Sequence, residues 1–136
     1  MIWALLMLLV FADLDAVRSE PDLNHRSELA LSNAEEKIDA ARKAYEAGDN
    51  SGEAADVQEV SDSVTLCYES LQQTNTAPRK SRYYKRAELR ISAMLRRLTA
   101  LRDEVNFDSR AGVETALKKL SDIHDELLAD IMSKKK

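Results

Sequence analysis

The chain has 136 residues, of which 44% are hydrophobic and 32% charged, enough for one domain with its own core and too apolar for a disordered chain. Three glycines, two prolines and 5% aromatics are too few to punctuate a many-stranded β fold, whereas the good helix formers Ala, Leu, Glu, Lys and Arg are abundant. A formal net charge of −4, two histidines, one cysteine and no nucleotide or metal motif give no push towards a catalytic class.

Residues 1–12 read MIWALLMLLVFA, an uncharged run followed at once by Asp13, Asp15 and Arg18. Such a run is shorter than the roughly 20 apolar residues that span a bilayer, but it suits the core of a secretory signal. Small residues at Ala12 and Ala16 offer cleavage positions, so residues 1–16 are read as a signal-like segment and residues 17–136 as a single helical domain. No Lys or Arg precedes the run, so the usual positive start of a signal is missing. The competing account is an apolar helix packed in the core. Export is preferred because this run has no polar face, whereas every later segment has one.

Four amphipathic segments follow, at about residues 22–47, 53–73, 82–105 and 110–132. In the first, Leu23, Ala30, Ala34, Ile38, Ala41 and Tyr45 recur at steps of three, four or seven, as one helix face requires. Ser19 ahead of Pro21 and Asp22 reads as its start, and Gly48 through Gly52 as its stop. Its alanines predict close approach of a neighbour. The second carries Val57, Val60, Val64, Cys67 and Leu71 at helical spacing, with Tyr68 beside them; the period outweighs the strand preference of the valines. Pro78 ends it, because the residue before proline avoids helix. Cys67 is the sole cysteine, which excludes an intramolecular disulfide and predicts a buried free thiol.

The third segment has the clearest pattern: Tyr84, Ala87, Ile91, Met94, Leu98, Leu101 and Val105 alternate steps of three and four, an unbroken heptad seam. Residues 106–109 supply a turn, with Asp108 or Ser109 as cap. In the fourth, Val113, Ala116 or Leu117, Leu120, Ile123, Leu127 and Ile131 mark the inward face. Helices of this length joined by short turns predict an all-α, antiparallel up-down-up-down four-helix bundle. The alternative is a pair of helical hairpins stacked as in an α-solenoid. Residues 44–49 resemble the end of the first helix of a tetratricopeptide repeat, but the stretch occurs once, so no repeat family is assigned.

Charge is sorted by segment. Residues 20–60 hold eleven acidic side chains against Arg26, Lys37, Arg42 and Lys43; residues 79–102 hold nine basic ones against Glu88 alone. Two accounts compete. The arginines of the third helix pair with acidic neighbours along the apolar seam, as flanking coiled-coil residues do, or the helix faces outward and binds a polyanion, an anionic membrane surface or an acidic protein. The candidate binding residues are Arg79, Lys80, Arg82, Lys85, Arg86, Arg90, Arg96 and Arg97, with Tyr83 and Tyr84 available to stack or hydrogen-bond. On a helical projection they spread around the polar arc instead of forming one ridge, which favours pairing.

Catalytic and metal chemistry find little support. His25 and His124 fall at one end of an antiparallel bundle, where Glu28, Asp122 or Asp125 would join them around a transition metal. No Glu-x-x-His motif accompanies them, and two surface histidines are the expected background. Haem held by Met94 or Met132 opposite His124 is disfavoured because Met94 sits on the seam. No cofactor, metal ligand or catalytic residue is assigned. The sequence therefore predicts an exported, periplasmic or extracellular, non-catalytic interaction or structural module. Its partner is expected to be a protein, with a homodimer also compatible with the seam. Binding of polyanions or anionic membranes through the third helix is the first alternative and a metal- or haem-binding bundle the second; export disfavours nucleic acid.

Overall fold

The structure, a computed structural model, describes residues 13–133; the apolar run at residues 1–12 and the lysines at 134–136 lie outside the described residues. A short helix, α1 (Asp13–Arg18), precedes four long ones: α2 (Leu23–Glu46), α3 (Asn50–Gln73), α4 (Arg82–Glu104) and α5 (Phe107–Met132). A 3-10 turn, Pro78–Lys80, leads into α4, and no strand occurs among the described residues. The all-helical class expected from composition is what the chain adopts. In α1, Val17 is buried and Leu14 packs against the same core, so this segment lies against α2.

The helix starts differ from those expected, for reasons of side-chain chemistry. Asp22 itself, not Ser19, caps α2, its carboxylate accepting from the backbone N–H groups of Asn24 and His25. At the far end Gly48 adopts φ 79°, a left-handed conformation that glycine alone takes without strain, and α2 stops there. Residues 49–52, read above as part of that stop, instead begin α3. Asp49 caps the Gly52 N–H at 2.9 Å, and a Cβ on Gly52 would collide with the capping carboxylate. Likewise Asn106, not Asp108 or Ser109, caps α5 by accepting from the Ser109 N–H at 3.0 Å. Pro78 does close the α3 connection, with Asn75 at φ 58° just after the helix end.

Cross-helix bonds give the arrangement. Asn33 donates to both Glu59 and Ser63 at 2.9 Å, and Lys37 lies 3.6 Å from Glu59, so α2 and α3 run antiparallel. Glu88 stands beside His124, and only residues 105–106 separate α4 from α5, so this pair is antiparallel too. Between the hairpins, numbers rise together: Glu28 meets Arg86, Glu35 meets Arg90 and Asp39 meets Arg97. Helices α2 and α4 are therefore parallel neighbours, and Tyr68, donating to Asp130 at 2.7 Å, joins α3 to α5 in the same sense. The chain crosses the core diagonal through residues 74–81, since α3 and α4 touch only lightly.

The apolar stripes meet in the middle. Ala30, Ala34, Ile38 and Ala41 of α2, Val57, Val60, Val64, Cys67 and Leu71 of α3, and Val113, Ala116, Leu120, Ile123 and Leu127 of α5 are all buried, as their spacing requires. The α4 seam, from Tyr84 through Ile91, Met94, Leu98 and Leu101, is withdrawn from water along its whole length. Each such large apolar side chain contributes about 1.5 to 3 kcal/mol relative to exposure. The alanines of α2 allow α3 to approach closely, and buried Ser63 and Ser70 sit on the facing helix.

Cys67 tests this core directly. It is fully buried, and burial pushes its thiol pKa up to about 12. The native chain is expected to be inert towards an aromatic disulfide reagent at pH 8 and to release one equivalent of chromophore in guanidinium chloride. Rapid labelling without denaturant would contradict the packing of α3.

Candidate functional site

The basic residues of the α4 region divide into two sets. One flank of α4 is committed to α2. Arg86 Nη1 donates to Glu28 at 2.9 Å. Arg90 holds Glu35 with two bonds, 3.2 Å from Nε and 2.6 Å from Nη2, and reaches Ser32 Oγ at 3.1 Å. Arg97 donates to the Asp39 carboxylate and to the Glu35 carbonyl, and Arg42 of α2 meets Glu104 near the end of α4. The two-bond Arg90–Glu35 pair is the strongest of these, because a planar fork on a carboxylate fixes direction as well as distance. The hydrogen bond to Glu35 raises the Arg90 pKa, overriding the opposite effect of burial, so Arg90 stays cationic.

The other set faces outward. Arg79 and Lys80 lie exposed on the 3-10 turn, Arg82 and Lys85 on the first turn of α4, and Arg96 further along; none of these five makes an ion pair among the described residues. Arg82 bonds the Tyr83 hydroxyl at 3.0 Å, and the guanidinium groups of Arg82 and Arg86 lie 5.0 and 5.9 Å from the centre of the Tyr83 ring. Tyr84, the other tyrosine considered for this surface, is only 4% exposed and belongs to the core. Its place on the seam overrides its neighbours' charge. Leu89 was missed: it is 67% exposed on the helix face opposite the seam, with Lys85 four residues before it and Arg96 seven after. A leucine out of register with the heptad is the signal that would have found it.

The histidine reading takes a different form. His124 is mostly buried, its Nε2 3.3 Å from Glu88 Oε1 and its Nδ1 3.8 Å from Asp125. Glu28 is engaged by Arg86, and Asp122 by Lys118. Among the described residues no group of three or more His, Cys, Asp or Glu side chains is placed to hold a metal ion. Met94 is fully buried in the core.

A second region was not anticipated. Glu53 precedes Val57, Val60 and Val64 in the apolar register of α3, and its side chain is accordingly buried, with the residue only 2% exposed. Among the described residues its Oε1 has no hydrogen-bond partner, and Glu53 lines a cleft between α3 and α5. Burial, and secondly the charge of Asp56, raises its pKa. An acidic residue in step with three valines is visible in the sequence, but the partner helix that encloses it is not.

Comparison with known proteins finds no matching family, no similar curated protein and no similar solved structure.

Because the folded chain holds the Glu53 proton more tightly than the unfolded chain does, this group disfavours folding as pH rises above the ordinary glutamate value of 4.5. Glu53→Gln removes that dependence. Urea unfolding is expected to show little charge-related difference between the variant and the native chain at pH 4, and a difference favouring the variant that grows towards pH 7. A difference independent of pH would contradict an uncompensated buried carboxylate.

Proposed function

We propose that this protein is an exported, non-catalytic helical module that binds an acidic partner protein through the outward face of α4. The observation that carries the reading is the division of the basic residues. Arg86, Arg90 and Arg97 are occupied in holding α2, whereas Arg79, Lys80, Arg82, Lys85 and Arg96 are exposed and make no ion pair among the described residues. A row of cations on a chain of net charge −4 is a local, directional field, suited to steering an acidic surface into register. In this reading the long helices form one bundle, a rigid support for that face. The antiparallel hairpins α2–α3 and α4–α5 lie side by side in it, with α2 parallel to α4 and α3 parallel to α5, not the arrangement with every neighbour antiparallel. Export rests on the uncharged residues 1–12 and implies a periplasmic or extracellular setting.

A second reading, binding to an anionic membrane surface, is favoured by one feature. Leu89 is exposed on the same helix face as Lys85 and Arg96, and an apolar side chain beside cations suits a headgroup boundary.

Salt-dependent binding tests the cationic face and separates the two readings. The native chain is expected to be retained on heparin at low ionic strength and released steeply with added salt. Replacing Arg82, Lys85 and Arg96 together by Glu is expected to abolish retention, while Arg90→Ala leaves it largely intact. Cosedimentation with vesicles rich in phosphatidylserine, weakened by Leu89→Ser, would select the membrane reading. Retention on heparin without vesicle binding would select the protein reading, and failure of the native chain to bind either would refute both.

A further inference from the structure

The Glu53 cleft lies at the end of the molecule away from the exposed cations of the α4 start, because α3 and α5 both begin there. It has a volume of about 360 Å³, at the lower end of the size range of small-molecule sites, roughly 300 to 1,000 Å³. Val57 and Ala116 give it apolar wall, Ser61 and Thr115 contribute hydroxyls, and Asp108 adds a second carboxylate. No Lys or Arg is among its lining residues. Glu53 Oε1 is withdrawn from solvent and accepts no hydrogen bond among the described residues. At the adjoining helix starts the Asp49 and Asn106 side chains cap the Gly52 and Ser109 N–H groups.

We infer that the α3–α5 cleft binds a small organic cation, a primary ammonium carrying a short apolar tail, with Glu53 as its counter-ion. The ammonium pairs with the Glu53 carboxylate, which lines the cleft and has no cationic partner among the described residues. The tail lies along Val57 and Ala116. A carboxylate withdrawn from water attracts a matched cation more strongly than an exposed one does, because the low local dielectric screens the pair less. Asp108 and the neighbouring Asp56 favour a cation over an anion of the same size. The apolar wall favours an organic cation over a hydrated inorganic one. This inference is independent of what the face of α4 binds.

Butylammonium chloride titrated into the full, isotopically labelled chain tests it, with amide resonances of Glu53, Ser109 and Gly112 as reporters. Saturable shifts at these amides are expected. Butan-1-ol, a neutral molecule of the same shape, is expected to bind at least about tenfold more weakly, the usual consequence of losing a charge-assisted hydrogen bond. Glu53→Gln is expected to weaken butylammonium by a similar factor while keeping the native helical circular dichroism. Should the variant not fold, the comparison of butylammonium with butan-1-ol on the native chain decides. The inference is overturned by the absence of saturable shifts, by equal affinity for the alcohol, by a folded Glu53→Gln chain that binds unchanged, or by sodium chloride at matched concentration producing the same shifts.

Discussion

Six side chains of α4, from Tyr84 to Leu101, are withdrawn from water, and the arginines flanking that seam on one side reach a single neighbour, α2. Burying the seam requires α4 to face the centre of the molecule, but the apolar contact alone leaves rotation and sliding cheap, because dispersion and hydration are non-directional. The ion pairs supply the missing direction. Glu28, Glu35 and Asp39 along α2 meet Arg86, Arg90 and Arg97 along α4 in the same order, so one parallel register satisfies all three. Partly exposed pairs of this kind add little stability individually, about 0 to 1 kcal/mol each, and matter more for choosing which helices adjoin.

That division of labour shapes the functional surface. Because the α2-facing flank of α4 is neutralised within the fold, the remaining cations are displaced to the outer face and to the turn that precedes the helix. Tyr83 sits between the two groups, with Arg82 from the outer set and Arg86 from the paired set both near its ring. The same helix thus builds the core on one side, selects its neighbour on a second, and presents cations on a third. The α3–α5 pair has the opposite character: a cleft with carboxylates and no lining base.

How much of this was legible in the sequence depends on the range of the interaction involved. The seam positions of α3, α4 and α5 follow from helical period alone, so Val57 to Leu71, Tyr84 to Val105 and Val113 to Leu127 fall inside as spaced. Segregation of acidic and basic residues was equally visible. Pairing was one of two consistent accounts, because a helical projection gives a residue's direction and not what stands opposite. Cap positions were harder. Asn106 outcompetes Asp108 and Ser109 through a bond within three residues, and Gly52 looks like a terminator although its N–H lies under the Asp49 carboxylate. Glu53 was passed over because its register carries meaning only once α5 encloses it. Leu89 was passed over because one leucine outside a strong seam is unremarkable by itself.

The most direct test of the central claim is a charge-reversal cycle on the pair that fixes α2 against α4, read by chemical denaturation. Arg90→Glu and Glu35→Arg are each expected to destabilise the fold by about 1 kcal/mol or more, since each places like charges against one another beside the core. The double reversal rebuilds the pair with its polarity inverted and is expected to recover most of that loss, giving a favourable coupling. Losses that simply add in the double variant would mean that the two side chains do not meet, and that the parallel register of α2 and α4 is wrong.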